Sequence, residues 1–265
     1  MLSLDVREAE DSDYDAAFTL AQSVGIQAVT LSLDWSTVEL SAGQFDPTFP
    51  DIANLYYPPR GAKLALSLRP VSTTYRPLPA DLAALPLSDT LVIRRFNALL
   101  DSLHAHLTAV TFTGIYIGSE HDAYFGVDPA LWADWQVFFD AVRPHAKALW
   151  PTVPVGTEFT YDGLTGPAAI FTQASNLHSD VVVVSYYPLD ADFHVLPPST
   201  VRQAVTAIAA AYPGRTIHFN QIGYPSSATN GSSEEKQREF VAQTFAAWDA
   251  HADQVSVLNF DWQTD

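Results

Sequence analysis

The sequence predicts an α/β protein, a single (β/α)8 TIM barrel over residues 1–265. Three observations lead to this prediction. Short apolar runs alternate with longer amphipathic segments through the chain. The length of 265 residues is close to the roughly 250 that such a barrel needs. No composition shift marks a domain boundary, and a hydrophobic fraction of 48% is enough for a large core and excludes a disordered chain.

The apolar runs predict eight β-strands, because they are short and rich in β-branched residues. The sixth run holds four successive valines, which is typical of a parallel strand buried on both faces. The predicted strands lie within residues 3–6, 28–35, 62–71, 112–122, 153–162, 180–189, 216–225 and 254–263.

Seven amphipathic segments predict the helices that connect these strands. In the first, apolar residues share one face and Gly25 ends the helix; in the fourth, Asp128 precedes Pro129, the favoured order at a helix start. The predicted helices lie within residues 13–25, 51–57, 88–107, 128–150, 166–176, 199–214 and 232–252.

No eighth helix is predicted, because the sequence ends at Asp265, just after the eighth strand. Either the barrel closes in another way or the chain is truncated. The alternative fold is an open, doubly wound sheet, but the first predicted strand lacks the Gly-rich phosphate loop of such folds.

Composition excludes several functional classes. The net charge is −17 and no run of Lys or Arg occurs, so we expect no nucleic-acid partner and a neutral ligand. The absence of cysteine excludes disulfides, Cys-based zinc sites and thiol nucleophiles. No run of about 18 apolar residues occurs, so we expect no membrane span. The acidic N-terminal segment does not match a signal peptide. A leader could have been removed, so secreted and cytoplasmic locations both stay open. The sequence does not indicate the oligomeric state.

The active site of a (β/α)8 barrel lies at the C-terminal ends of its strands. Those ends carry acids and aromatic rings, a combination that suits a sugar, since rings stack on its apolar faces and acids bind its hydroxyls. The side chains at the predicted ends are Trp35, Glu39, Arg69, Glu120, His121, Asp122, Glu158, Tyr161, Asp162, Tyr186, Tyr187, Gln221, Tyr224, Asp261 and Trp262.

Glu120 is the candidate general acid. Apolar residues precede it up to Gly118, so a partly buried site would raise its pKa and keep it protonated for transfer to a glycosidic oxygen. The alternative is a surface acid at a strand end.

Two segments carry a family resemblance. GIYIGSEHD, residues 114–122, and IHFNQIGYPSS, residues 217–227, resemble the fourth-strand and seventh-strand signatures of clan A retaining glycoside hydrolases, a group that includes β-mannanases, β-galactanases and cellulases. LDWSTVELSAGQFD at residues 33–46, VSYYPL at 184–189 and Trp262 resemble the second, sixth and eighth strands of that group.

The resemblance implies a retaining mechanism on a β-linked oligo- or polysaccharide, with two glutamates about 5 Å apart. Glu120 takes the acid/base position, and Ser119 stands where an Asn usually holds the sugar 2-hydroxyl. The side chains expected to bind substrate are Trp35, Arg69, Ser119, His121, Glu158, Tyr186, Tyr187 and Trp262.

Gln221 occupies the nucleophile position. An amide has neither the charge nor the leaving-group chemistry for double displacement, so the resemblance implies a glycosidase that is inactive as written. Three explanations stay open: a deliberate Glu→Gln change, a natural loss that leaves a non-catalytic carbohydrate-binding barrel or other chemistry, or an ordinary polar residue at a strand end.

Glu158 has two interpretations. It could form an inverting pair with Glu120, if the carboxyls are about 6.5 to 9.5 Å apart, or it could be a structural acid in the barrel mouth. Tyr186 and Tyr187 alternate faces, so we expect only one to face inward and bond position 221.

No cofactor or metal is predicted, because the histidines are scattered and no HExxH or GxSxG motif occurs. His121 and Asp122 beside Glu120 are a weaker metal-ligand alternative.

Overall fold

A computed structural model describes residues 1–6 and 13–261. The described residues form a parallel sheet of nine strands in the order β7-β6-β5-β2-β1-β11-β10-β9-β8, and a separate antiparallel hairpin, β3-β4. The strands are β1 (Leu2–Leu4), β2 (Ala28–Asp34), β3 (Glu39–Ser41), β4 (Gln44–Phe45), β5 (Lys63–Ser72), β6 (Phe112–Ser119), β7 (Val155–Gly156), β8 (Glu158–Thr160), β9 (Val182–Tyr186), β10 (Ile217–Ile222) and β11 (Val255–Phe260).

The two ends of this sheet are pieces of one extended segment. β7 pairs with β6, β8 pairs with β9, and only Thr157 separates the two strands in the chain. The backbone N–H of Glu120, just after β6, also donates to the carbonyl of Glu158 in β8 at 3.0 Å. The nine strands therefore form a nearly closed ring of eight barrel positions, as the sequence predicts, and not an open sheet.

Helices follow the barrel strands. They are α1 (Tyr14–Ser23), α2 (Trp35–Val38), α3 (Thr48–Tyr56), α4 (Thr90–His106), α5 (His121–Phe125), α6 (Pro129–Leu149), α7 (Tyr161–Thr165), α8 (Ala169–Asn176), α9 (Thr200–Ala211) and α10 (Glu234–Ala250). None of the helices in residues 1–6 and 13–261 is long and apolar enough to cross a membrane.

Capping residues fix several helix starts. Asp89 and Asp128 accept hydrogen bonds from the backbone N–H groups of Leu91 and Ala130, and Pro129 opens α6 as predicted. The short helices α2, α5 and α7, and the β3-β4 hairpin, were not predicted, because single-turn elements carry too little periodicity to be detected.

The apolar core has two parts. A small one, of Ala65, Tyr116, Val181 and Val183, fills the interior of the barrel. A much larger one lies between the sheet and the surrounding helices. Side chains alternate between these layers along each strand, so the last inward position of each strand faces the barrel mouth.

Candidate active site

An irregularity in β10 turns two successive side chains into the barrel. The pairing of β10 with β9 shifts between Phe219 and Gln221, which leaves Asn220 as the extra residue of a bulge. Asn220 and Gln221 both direct their amides to Glu158 inside the ring. Bulges of this kind often re-aim side chains beside active sites.

Glu158 is the centre of the site. Its side chain is fully buried and accepts three hydrogen bonds: from Ser119 Oγ at 2.8 Å, from Asn220 Nδ2 at 2.9 Å and from Gln221 Nε2 at 3.0 Å. Gln221 Nε2 also lies 3.3 Å from Ser119 Oγ. These bonds tie the ends of β6, β8 and β10 together around one carboxyl group.

Burial, and after it the nearby charge of Glu120, raise the pKa of Glu158 to about 7, although the bonds from Asn220, Ser119 and Gln221 act to lower it. Glu158 is thus a hydrogen-bonded acid inside the barrel mouth, one of its two predicted interpretations.

Glu120 sits at the start of α5 in an unusual backbone conformation. Its φ of 50° and ψ of 28° lie in the left-handed region, which few non-glycine residues adopt outside special sites. Thr73 Oγ1 donates to its Oε2 at 2.8 Å. Gly118 has a φ of 79°, and a Cβ there would lie 2.8 Å from the Trp135 ring, so only glycine fits the turn that directs Glu120.

Tyr187 is the tyrosine that faces inward. Its hydroxyl lies 3.0 Å from Gln221 Oε1 and 2.5 Å from Asp261 Oδ2. Tyr186 points to the helix side, where its hydroxyl donates to Thr200 Oγ1 at 3.2 Å. The expectation that only one of the two tyrosines reaches position 221 is met by Tyr187.

Arg69 lies at the mouth but is engaged by an acid. Its Nε is 2.7 Å from Asp34 Oδ1, and Tyr75 donates to the other oxygen of the same carboxylate at 2.9 Å. Because this ion pair is partly exposed, it adds little to the stability of the fold. It mainly fixes the positions of the two polar side chains.

An open cavity of about 670 Å³ lies beside this cluster. Glu120 and Tyr187 are among its lining residues, together with Ala123, Tyr161 and Leu196. A cavity of this size accommodates a ligand of one to a few sugar rings.

Two predicted site residues lie elsewhere in the fold, and the first is Trp35. It is 1% exposed, packs edge-on against Phe96 and donates from Nε1 to Glu39 Oε2 at 2.7 Å. Arg95 pairs with the same Glu39 carboxylate. The structure therefore places Trp35 in the layer between barrel and helices, where it supports the β3-β4 hairpin.

His121 is also not brought to the mouth. It is fully buried, burial lowers its pKa to about 3, and it is enclosed by four aromatic rings: Phe125, Trp132, Trp135 and Phe159. Glu120 precedes α5 and lines the cavity, whereas His121, the first residue of α5, packs among the aromatic rings. Trp262 lies outside the described residues.

Metal-binding groupings are sparse in the described part of the chain. One exposed group, Asp190, Asp192 and His194, is close enough to share an ion, and it lies in the segment between β9 and α9. Exposed acids alone do not make a site, and His121 lies in a box of aromatic rings that does not suit an ion.

Gly163 packs against the Asp122 side chain, where there is no room for a Cβ. A Cβ at this position would lie 2.1 Å from Asp122 Oδ2, and Asp122 accepts bonds from the backbone N–H and the hydroxyl of Thr160 at 2.9 and 2.5 Å.

We expect Gly163→Ala to lower the free energy of unfolding by about 1–3 kcal/mol in urea titrations, although alanine favours a helix. Adding Asp122→Ala should make the double variant cost less than the sum of the two single changes. A Gly163→Ala protein as stable as the wild type would contradict this packing.

Asn220 and Thr73 are site residues that the sequence analysis missed. An asparagine inside an apolar strand was an available signal for Asn220, because amides are rare in strands and rarely buried without a role. Thr73 carried no signal, since the loop after β5 brings it to Glu120 through tertiary folding.

No protein-family model and no curated protein matches the sequence. Several solved structures are similar in fold. GH5_18 from Streptomyces cattleya in complex with GlcNAc superposes with a TM-score of 0.74 at 16% identity, over 98% of this chain and 69% of that one. The exo-β-1,4-mannosidase Op5Man5 from an Opitutaceae bacterium gives 0.71 at 16%, over 98% and 51%. The GH53 catalytic domain of Ignisphaera aggregans gives 0.68 at 16%, over 98% and 79%.

The chain spans about half the length of the mannosidase, and 62% of the length of a second Streptomyces cattleya GH5_18 structure, a variant in complex with Manβ1-4GlcNAc. Identities of 16% establish shared architecture and not shared activity. The protein has the TIM-barrel fold that these glycoside hydrolases share.

Proposed function

We propose that the barrel mouth binds a neutral β-linked oligosaccharide or polysaccharide as a glycoside hydrolase-like site, with Glu120 in the position of the acid/base and Gln221 in that of the nucleophile. The observation that carries the proposal is the cluster around Glu158. It links Ser119, next to Glu120, with Gln221 in one hydrogen-bonded group, and its neighbours Glu120 and Tyr187 line an open cavity.

The chemistry of the site limits what position 221 can do. Double displacement needs a carboxylate that attacks the anomeric carbon, and the amide of Gln221 cannot supply it. An inverting pair of Glu120 and Glu158 is disfavoured, because Glu158 is fully buried and its carboxyl oxygens already accept three hydrogen bonds from protein groups.

A second candidate is a non-catalytic carbohydrate-binding barrel. It is favoured by one observation: the Gln221 amide is held in the cluster, since its Nε2 donates to Glu158. Such a site keeps the shape and hydrogen bonds of a sugar-binding pocket without the attacking group.

Binding is tested by titration calorimetry with manno-, gluco- and galacto-oligosaccharides. The names of the similar structures include a mannosidase and complexes with GlcNAc and Manβ1-4GlcNAc, so β-mannosyl and GlcNAc-containing ligands come first. We expect saturable binding that Ala123→Trp weakens at least about tenfold, because Ala123 lines the cavity and the larger ring takes up space that the ligand needs.

Tyr212→Phe is the matched control. Tyr212 is a buried tyrosine at the end of α9, with its hydroxyl 3.3 Å from Asn176 Nδ2 and outside the cavity, so affinity should be unchanged. Absence of binding for every sugar, or binding that Ala123→Trp leaves intact, would remove the proposal.

A further inference from the structure

The phenol of Tyr187 lies between two acceptors. Its oxygen is 2.5 Å from Asp261 Oδ2 and 3.0 Å from Gln221 Oε1. A tyrosine has one hydroxyl proton, and an ionised carboxylate is a stronger acceptor than an amide oxygen. The proton of Tyr187 is therefore directed at Asp261 and away from position 221.

This arrangement places an oxygen nucleophile and a base beside the nucleophile position. The Tyr187 oxygen is one hydrogen-bond length from the side-chain oxygen of residue 221, and Tyr187 lines the same cavity as Glu120. A nucleophile is recognised by a base within hydrogen-bond reach, and Asp261 meets that criterion.

We propose that Tyr187, with Asp261 as its base, is the nucleophile of a retaining β-glycosidase reaction in this protein. The inference rests on the proposed sugar site and adds to it a catalytic route that does not need a carboxylate at position 221. Glycosidases with a tyrosine nucleophile are a known exception to the two-carboxylate scheme.

The steps balance with water as the only co-substrate. The Tyr187 oxygen forms a bond to the anomeric carbon as Asp261 takes the phenolic proton, and Glu120 protonates the departing glycosidic oxygen. In the second step Glu120 removes a proton from water, the water oxygen bonds to the anomeric carbon, and the tyrosine oxygen leaves and regains its proton from Asp261. The net reaction is hydrolysis with retention.

Asp261 is necessary because a free phenolate is not available. Burial raises the pKa of Tyr187 well above its usual value, and the charges of Asp261, Glu120 and Glu158 raise it further. Proton transfer must therefore accompany the attack, which is general-base catalysis. The same acids favour the positive charge that develops on the sugar ring.

The test uses 2,4-dinitrophenyl β-mannoside, β-glucoside and β-galactoside, and their 2-deoxy-2-fluoro analogues, which slow the second step. We expect the wild type to turn over at least one substrate, and mass spectrometry of the fluorosugar-treated protein to show a glycosyl adduct on the peptide that contains Tyr187. Tyr187→Phe should abolish turnover and adduct. Asp261→Asn should lower turnover by about 10²–10⁴-fold. Tyr212→Phe should retain both.

An adduct on another residue, turnover that survives Tyr187→Phe, or no turnover on any of the three sugars would overturn the proposal. Calorimetry on the same proteins separates this outcome from a failure of the sugar site itself. Oligosaccharide binding without turnover contradicts only the tyrosine route, whereas absence of binding contradicts both.

Discussion

The double variant Glu158→Gln/Gln221→Glu is expected to hydrolyse aryl β-glycosides faster than the wild type and at least about tenfold faster than Gln221→Glu alone at pH 7. The reason is the 3.0 Å contact between the two side chains. It joins one carboxylate and one amide, and the exchange keeps that pairing while it moves the charge to position 221.

The single variant Gln221→Glu lacks this pairing of one carboxylate with one amide. Two carboxyl groups 3.0 Å apart cannot both be ionised near neutral pH, so they share one proton. The charge stays on the side of Glu158, where Asn220 and Ser119 donate to it, and the new acid at position 221 remains protonated and is a poor nucleophile.

In the double variant the hydrogen bonds of position 158 are kept. The carbonyl of the new amide at position 158 accepts from Asn220 Nδ2, and its NH2 group faces the new carboxylate and Ser119 Oγ. Initial rates from pH 4 to 9 for the wild type, both single variants and the double variant measure the effect. Equal rates for the double variant and Gln221→Glu would show that Glu158 does not control position 221.

Stability should fall with rising pH because of Glu158. Its pKa is raised from 4.5 to about 7 in the folded protein, so the stabilising contribution is complete below pH 4.5 and is lost as pH rises through 7. The difference of roughly 2.5 pKa units corresponds to about 3 kcal/mol. We expect the wild type to lose about this much relative to Glu158→Gln between pH 4.5 and pH 8.

Comparison with Glu158→Gln removes the contributions of the other buried titratable side chains. His121 and His218, whose pKa values burial lowers to about 3 and about 4, and Asp122, whose pKa burial raises to about 6, are present in both proteins and cancel in the difference. Glu158→Gln can keep its contacts if the Gln221 amide rotates, since Tyr187 can accept from it. Parallel stability curves for the two proteins in urea titrations across this pH range would contradict the raised pKa.

The barrel fold was predictable because the same pattern of apolar runs and amphipathic segments repeats along the chain. Each apolar run and each amphipathic segment is weak evidence, but their alternation along the chain leaves few topologies. The broken fifth strand at Thr157 and the bulge at Asn220 were not predictable, since both depend on how neighbouring strands pair.

The candidate site was predictable in position and less so in detail. Glu120, Glu158, Tyr187 and Gln221 lie near one another, as expected where strand ends converge in a barrel. Trp35 and His121 also sit at strand ends, but their local backbones turn the rings into the outer core. Which way a side chain points after the last strand residue is decided by the first turn of the following segment, and the sequence pattern does not show it.

The most direct test of the proposed site is a crystal structure of the wild-type protein soaked with the β-linked oligosaccharide that binds best in calorimetry. We expect one sugar ring bound beside Glu120 and Tyr187, with its anomeric carbon facing the Tyr187 oxygen and its glycosidic oxygen within hydrogen-bond distance of Glu120. An empty mouth at saturating ligand, or a sugar bound away from Glu120 and Gln221, would contradict it.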